Sequence, residues 1–345
     1  MRQLFCALAL LPLASVASPP AATPTKADLH VVQKLSLGGT GGWDYPTVDS
    51  AHHRLYLSRS DRVLVVDTAS GKPVGEIAHT DGVHGVALAP RRGVGFTSNG
   101  KANSVTVFDL HNLRTLGEIS IAGRGPDAIL YDRVSDRVLT FNGKSHDVTV
   151  IDAGKRVPVA TIALDGKPEF AVSDDKGRVF LNNEDKGEIV ALDPKQAKIV
   201  NTWSLGDCKE PTGLALDMAH RRLFSVCQNG VMVVLDADTG RSVARLPIGA
   251  GPDGVVFDSS RGLAYSANGQ DGTLTVVHED DPTHFRVVAT VPTQKSARTI
   301  TLDDASHRVY LPAASFGPLP ADAVPHTRPS MRADSFVVLV LEPTH

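Results

Sequence analysis

Short runs of hydrophobic residues alternate with polar turn sequences along almost the whole chain. A representative stretch contains four such runs, at 128–131, 137–141, 148–151 and 157–164, separated by turns rich in Asp, Asn and Gly. Runs this short that are rich in Val, Ile and Thr predict β-strands rather than helices. The pattern therefore predicts an all-β chain made of many short strands.

Two sequence phrases recur seven times in one register, and their period predicts the architecture. The first phrase has its first hydrophobic residue at positions 55, 94, 138, 179, 223, 263 and 309. The second phrase, of the type Val-Val-Asp, ends at positions 67, 109, 152, 193, 236, 278 and 342. Four strands in about 42 residues is the period of a propeller blade. The predicted fold is a seven-bladed β-propeller of four-stranded antiparallel blades.

Fourth strands follow only six of the seven third strands, and the missing one is predicted at the N-terminus. The sequence LHVVQKLSL at 29–37 resembles the other fourth strands. We expect it to pair with the last strand and close the ring, which removes an exposed sheet edge. The propeller is predicted to occupy 29–345 as one domain. An insertion at 313–334 in the last blade, with four Pro, is long enough to cover one face as a lid.

The first residues have the composition of a cleavable export signal. Arg2 precedes an apolar run at 4–13, and a small-residue cleavage pattern ends at Ala17. The run is too short for the roughly 20 residues that span a bilayer. We expect a signal peptide at 1–17, a flexible leader at 18–28, and a mature protein that is periplasmic or secreted and not embedded in a membrane.

Cleavage of the predicted signal peptide would remove Cys6 and leave two cysteines in the mature protein. Cys208 precedes the first strand of the fifth blade, and Cys227 follows the second. Antiparallel neighbours bring these two ends together, and an exported protein meets an oxidising compartment. A disulfide between Cys208 and Cys227 is therefore predicted. The net charge of −3 indicates no dominant basic face, so no nucleic-acid partner is predicted.

The wording of the repeat carries a resemblance to a known family. The segments Thr97-Ser98-Asn99-Gly100, Ser104–Asp109 and Val148–Asp152 resemble the YVTN-type repeat of YncE-like seven-bladed propellers of the bacterial cell envelope. The resemblance covers about residues 30–345 and implies the fold, but not the chemistry, because this fold hosts binders and enzymes alike. A WD40 assignment does not fit, since the Trp43-Asp44 pair precedes a first strand instead of ending a third.

The residue just before each first strand marks a candidate site. First strands line the central channel of a propeller, so these seven positions share one mouth of the channel. In chain order the mouth ring consists of Asp44, His84, Asp127, Glu169, Thr212, Asp253 and Arg298, with Trp43 and Tyr45 beside it. Two interpretations are open: the acidic residues cap the turn before each strand, or they form a binding site.

The opposite ends of the same strands provide a contrast. Six of the seven first strands end in Asp: Asp49, Asp132, Asp174, Asp217, Asp258 and Asp303. A repeated structural position tends towards one residue type, and this exit ring follows that rule. The mouth ring instead changes between neighbouring blades, which is typical of a site for an asymmetric ligand.

These features lead to two hypotheses of function. The first is a monomeric binding module that holds a small polar ligand, a metal ion or an envelope protein at the mouth; its predicted contacts are Trp43, Asp44, Tyr45, His84, Asp127, Glu169, Asp253 and Arg298. A divalent cation is the only cofactor suggested, with Asp44, His84, Asp127 and Glu169 as candidate ligands.

The alternative is a lactonase- or lyase-type enzyme, metal-assisted in some propeller families, with His84 and Glu169 as candidate catalytic residues. An interaction protein that uses the side of the propeller is a third class, which no sequence feature supports.

Overall fold

The computed structural model describes residues 29–319 and 329–343. Within them the chain forms seven four-stranded antiparallel sheets. This confirms the all-β, seven-bladed propeller that the repeats predict. The predicted signal peptide at 1–17, the leader at 18–28 and the middle of the insertion lie outside the described residues. None of the helices described is long and apolar enough to cross a membrane.

The strands follow one another blade by blade. The first strand, β1 (Leu29–Ser36), belongs to the last blade. Blades one to three consist of β2 (Thr47–Asp49), β3 (Arg54–Ser58), β4 (Val63–Asp67) and β5 (Pro73–Ile77); β6 (Val83–Ala89), β7 (Val94–Asn99), β8 (Ser104–Asp109) and β9 (Thr115–Ser120); and β10 (Pro126–Asp132), β11 (Arg137–Asn142), β12 (Asp147–Asp152) and β13 (Val157–Ala163).

The remaining blades repeat this order. Blades four to six consist of β14 (Pro168–Ser173), β15 (Val179–Asn183), β16 (Glu188–Asp193) and β17 (Lys198–Ser204); β18 (Pro211–Asp217), β19 (Arg222–Cys227), β20 (Val231–Asp236) and β21 (Ser242–Pro247); and β22 (Pro252–Asp258), β23 (Leu263–Asn268), β24 (Thr273–Asp281) and β25 (His284–Pro292). Blade seven contains β26 (Thr301–Asp303), β27 (Arg308–Ala313) and β28 (Val337–Pro343). Short 3-10 helices lie at Ser50–His52, Pro90–Arg92 and Glu184–Lys186.

The N-terminal strand closes the ring as predicted. β1 pairs antiparallel with β28, from Leu29 opposite Pro343 to Ser36 opposite Val337, and completes the sheet order β1-β28-β27-β26. The outer edge of blade seven is thus supplied by the other end of the chain. Such closure ties the first and last blades together through backbone hydrogen bonds.

The core lies between neighbouring blades. Second strands such as β7 are buried at every position, whereas the outer strand β9 is exposed at all but one. Aromatic side chains of the second strands, including Tyr56, Phe180 and Tyr265, are at most 1% exposed. One hydrophobic cluster joins Leu57 of blade one to Val338 of blade seven. Interblade packing therefore continues across the point of closure.

The predicted disulfide is present. Cys208 and Cys227 are bonded, with their Cα atoms 5.5 Å apart, and both are buried. The bond joins the loop before β18 to the end of β19, on the mouth side of blade five. The described ends of the insertion also reach this side, where Phe316 pairs with Met331 and packs on Trp43 at 6.1 Å between ring centroids.

Candidate functional site

A β-bulge aims the mouth-ring side chains. In five blades the ring residue is the second residue of the first strand rather than the residue before it, as in β10, which begins at Pro126. The pairing of β10 with β11 shifts between Pro126 and Ile129, around Asp127, and the other four blades repeat this shift. A bulge bends the strand and redirects a side chain. Asp44 and Arg298 instead precede the shorter strands β2 and β26.

His84 connects three blades. Its Nδ1 lies 2.8 Å from Asp44 Oδ2 and 3.2 Å from Asp127 Oδ1. The His84 side chain is 37% exposed, the most open of these three groups. Burial lowers the pKa of His84, but the hydrogen bond with Asp44 and the charge of Asp127 outweigh it and raise the pKa above its usual value. In the free protein His84 therefore tends to hold a proton between two carboxylates.

Arg298 neutralises part of the other side of the ring. Its Nε donates to Asp253 Oδ2 at 2.8 Å, and its Nη2 lies 3.7 Å from Asp44 Oδ1. The same Nη2 donates to the Trp43 carbonyl at 3.0 Å, and the guanidinium carbon lies 5.4 Å from the centroid of the Trp43 ring. These contacts fix Arg298 in place and link blades six, seven and one.

Glu169 forms a separate, more enclosed group. Its Oε1 accepts a hydrogen bond from the Tyr45 hydroxyl at 2.8 Å, and its Oε2 lies 3.1 Å from Lys167 Nζ. Lys167 also donates to Glu184. Burial is the main reason that the pKa of Glu169 lies well above its usual value, and Asp127 adds to it. The structure thus brings together three of the four candidate metal ligands, Asp44, His84 and Asp127, and places Glu169 apart from them.

The acidic residues of the mouth do not cap turns. Within residues 29–319 and 329–343, Asp44, Asp127, Glu169 and Asp253 accept hydrogen bonds or ion pairs only from side chains, and these come from Tyr45, His84, Lys167 and Arg298. Asp127 Oδ1 is buried and accepts no hydrogen bond there. The turn-capping interpretation is therefore wrong for these carboxylates. Thr212, the uncharged polar member of the ring, does not cap a turn amide either: its hydroxyl donates to the Pro252 carbonyl of the next blade at 2.9 Å.

Negative charge exceeds positive charge at the mouth. Five carboxylates, counting Glu184, face Lys167, Arg298 and the protonated form of His84. Burial raises the pKa of Asp127 to about 6, and the charge of Asp44 adds to this. Burial also raises the pKa of Asp253 to about 6, although Arg298 opposes it. The ring carboxylates therefore disfavour their own full ionisation, and an added cation would stabilise their charged forms.

Trp43 and Tyr45 support the ring from beneath. Both are only 6% exposed. Trp43 packs on Phe336 at 5.4 Å, and Tyr45 on Phe170 at 5.1 Å, between ring centroids. Tyr45 also lines a cavity of about 340 Å³ in the channel, whose apolar walls include Phe170, Val172, Leu214, Leu216, Val256 and Leu302. The mouth ring thus stands above a largely apolar channel.

Two roles at the ends of the second strands were not predicted from the sequence. In three blades the second strand ends in Asn followed by Gly, and the fully buried Asn donates to the third strand of its own blade: Asn99, Asn142 and Asn268. The following Gly leaves room for a ring side chain, since a Cβ at Gly100 would lie 2.8 Å from His84 Nε2 and one at Gly269 would lie 2.6 Å from Arg298 Cβ. Blade four has Glu184 at this position, which is the signal that could have revealed the partner of Lys167.

Comparisons with known proteins show the fold alone. No family model matches the chain, and no curated protein matches it. A structure of Kuenenia stuttgartiensis hydrazine synthase is similar, with 17% identity and a TM-score of 0.70, covering 85% of this chain and 96% of that one. Structures of U3-55K and of the RRP9 WD40 repeats each have 9% identity and a TM-score of 0.74. They cover 92% and 91% of this chain and 98% of their own. These similarities support a seven-bladed propeller and leave its ligand to be argued from the site.

Proposed function

We propose that this protein is a binding propeller that holds a small cationic ligand at the mouth of its channel. One observation carries the proposal: carboxylates from four different blades converge on one opening without bonding to backbone amides, and Asp127 among them is paired within the described chain only with His84, at 3.2 Å. His84 is shared with Asp44, so a further cation would stabilise the charged form of these carboxylates. A cation bound beside Asp127 would supply that second partner.

Two kinds of ligand share this chemistry. One is a divalent metal ion held by Asp44, His84 and Asp127; the other is a small polar molecule with an ammonium group. In either case the cation takes the place of the proton on His84, whose Nδ1 stands between the two carboxylates. Binding should therefore release a proton and weaken as the pH falls.

The setting proposed for this function is the bacterial cell envelope. The YVTN-type wording of the repeat and the predicted signal peptide support export, and the disulfide between Cys208 and Cys227 fits an oxidising compartment. We propose a monomer, because β1 completes blade seven by pairing with β28, so that no blade needs a strand from a second copy. A ligand of the mouth would then come from the periplasm or the medium.

The enzyme alternative has less support. A lactonase or lyase at this mouth requires His84 or Glu169 to act on the substrate. Asp44 and Asp127 raise the pKa of His84 and so favour its protonated form, which cannot act as a general base. Glu169 is only 7% exposed and is engaged by Tyr45 and Lys167. The state of His84 and the contacts of Glu169 therefore favour a ligand-binding role for the mouth over a catalytic one.

Thermal unfolding of chelator-treated mature protein tests the proposal. The probes are Mn²⁺, Ca²⁺ and 1,4-diaminobutane, which separate a metal from an organic cation. At 100 times its Kd a ligand stabilises the fold by about 2.7 kcal/mol, and each kcal/mol raises the Tm by roughly 2–4 °C in a chain of this size. Asp127→Asn should abolish the shift.

A matched control is available on the same face of the propeller. Asp81 is 65% exposed and, among the described residues, forms an ion pair only with Lys101, at 3.8 Å. Asp81→Asn removes the same charge and should leave the shift intact. The proposal is overturned if no probe shifts the wild-type protein, or if Asp127→Asn keeps the full shift.

A further inference from the structure

A second cluster of one histidine and two carboxylates lies on the opposite face, between blades five and six. Asp217 ends β18, His220 lies in the turn that follows, and Glu279 lies near the end of β24 in the next blade. His220 Nδ1 is 2.8 Å from Asp217 Oδ2 and 3.1 Å from Glu279 Oε1. The His220 side chain is 50% exposed, so solutes reach the cluster from the solvent.

Glu279 is a buried carboxylate whose only ion-pair partner in the described chain is the exposed His220. Its side chain is 2% exposed, Oε1 lies 3.1 Å from His220 Nδ1, and the buried Oε2 accepts no hydrogen bond from any described residue. A buried carboxylate oxygen without a donor has a cost that a bound cation would relieve. Asp217 differs, since its oxygens already accept the amides of Ala219 and His220.

The fold builds this cluster through a local departure from the blade pattern. The third strand ends in Asp in blades one to five, whereas blade six has His278 there and continues to Asp281. The lengthened hairpin places Glu279 over the neighbouring turn. Arg222 of blade five donates to the Pro282 carbonyl at 2.7 Å, which anchors the hairpin tip.

The hairpin is also fixed by packing. Phe285, opposite Glu279 in β25, contacts Phe224 of blade five with ring centroids 5.8 Å apart. The amide of Glu279 donates to the Gly262 carbonyl at 2.8 Å. These contacts hold the backbone of Glu279 beside the turn that carries His220.

We propose that Asp217, His220 and Glu279 form a binding site for a divalent transition-metal ion, with Zn²⁺ as the best fit. One nitrogen and two carboxylate oxygens are a donor set that Zn²⁺ accepts, leaving a fourth position for water. Ligand atoms of a tetrahedral Zn²⁺ site are about 3.3 Å apart, given bonds near 2.0 Å. The donor pairs at 2.8 and 3.1 Å need to open by only a few tenths of an ångström.

Charge also favours an ion of this kind. With His220 neutral, the two carboxylates balance the charge of one divalent cation. Calcium would need six to eight oxygen ligands, which this pocket of three donors does not offer. Arg222 also acts on the charge of Glu279, after His220, but its guanidinium is already engaged by Asp236 and by the Pro282 carbonyl.

Calorimetric titration of chelator-treated protein with Zn²⁺ tests the site. All proteins carry Asp127→Asn, so that the triad at the mouth does not contribute. This background should bind one equivalent of Zn²⁺, and Co²⁺ in its place should give the visible absorption of a four-coordinate site. Glu279→Gln and His220→Asn should each weaken Zn²⁺ binding by at least about tenfold.

His307→Asn is the matched control. His307 Nδ1 lies 2.8 Å from Asp258 Oδ2 on the same face, and no second carboxylate completes a cluster there among the described residues. This substitution should leave Zn²⁺ binding unchanged. The inference is overturned if the Asp127→Asn background binds no Zn²⁺, or if His307→Asn weakens binding as much as His220→Asn. Neither result depends on whether the mouth binds a cation. Since His220 is half exposed, His220→Asn keeps the test decisive if Glu279→Gln does not fold.

Discussion

The two ends of the first strands carry similar residues and use them differently. At the exit ring, each Asp accepts backbone amides of the turn that follows, as Asp174 does from Lys176 and Arg178. At the mouth ring, Asp127 and Asp253 instead face side chains from other blades. Every exit carboxylate thus accepts amides of its own turn, and some also bind a side chain of the next blade, as Asp132 does with Ser173. Among the described residues, the mouth carboxylates bond only to side chains.

This difference shows what residue variety means in a repeat protein. A carboxylate that caps a turn accepts the same backbone amides in every blade, so the same residue type recurs. A carboxylate that belongs to a shared opening meets different neighbours in each blade, and its residue type varies. The exit ring should therefore matter for stability and the mouth ring for binding, and each prediction below tests one side of that division.

The largest effect is expected at the exit ring, from Asp132→Ala. Asp132 is fully buried and accepts the Ser135 amide and the Ser173 hydroxyl, each at 2.7 Å, the second from the next blade. Its removal leaves these partly buried donors unpaired and opens a cavity at a fully buried position, so the free energy of unfolding should fall by about 3 kcal/mol. Urea unfolding of the two proteins measures it. A loss below about 1 kcal/mol would contradict the structural role of the exit ring.

The fold was predictable because its information is local and repeated. In each blade, short apolar runs indicate the strands, and Asp, Asn and Gly indicate the turns. Because seven copies of this pattern share one register, the number of blades follows directly from the sequence. Ring closure followed from one missing fourth strand, which β1 supplies. The disulfide followed in the same way, because the ends of neighbouring antiparallel strands lie together.

The site was only partly predictable. Position within the repeat identified the ring residues, because the first strand of every blade faces the channel. The partners were not predictable, since the bond between Tyr45 and Glu169 spans 124 positions and depends on packing across the channel. The Asp217–His220–Glu279 cluster was missed because it depends on a lengthened hairpin, although His278 in place of the usual Asp signalled that blade six departs from the pattern.

A smaller loss is expected when a support of the mouth is removed by Tyr45→Phe. The Tyr45 hydroxyl donates to Oε1 of the buried Glu169. Without it, the Glu169 carboxylate keeps only its contact with Lys167, which is made by Oε2. The free energy of unfolding should fall by about 1.5 kcal/mol, while the shift of Tm by the cation probe stays. Unchanged stability together with a lost shift would show that Tyr45 contacts the ligand directly.

Within the mouth ring itself, Asp127→Asn should stabilise the unliganded protein by about 1 kcal/mol at pH 8. The pKa of Asp127 is about 6 in the folded protein, against 3.8 for an ordinary Asp. Between these values the folded state binds a proton that the unfolded state lacks, so the wild type loses stability as the pH rises from about 4 to about 6. The variant avoids this loss. Urea unfolding at pH 4, 5, 6 and 8 should show the gap growing with pH, and a gap of opposite sign would mean that His84 fully satisfies Asp127.

The smallest effect, of opposite sign, is expected from Asp303→Asn at the exit ring. Burial alone would raise the pKa of Asp303, but hydrogen bonds from Ser50 and Ser306 outweigh it and lower the pKa. A carboxylate with a lowered pKa stabilises the fold above its unfolded pKa, and the contribution disappears as the pH falls through the folded value. Asp303→Asn should therefore be less stable than the wild type by about 0.5 kcal/mol at pH 7, with the gap closing below about pH 4. Asp303→Asn and Asp127→Asn should be measured in the same urea series. Each removes one negative charge, from the exit ring and from the mouth ring respectively. The free energy of unfolding should fall for Asp303→Asn and rise for Asp127→Asn. If both destabilise the protein at pH 7, the mouth carboxylates are structural after all, and the division between the rings fails.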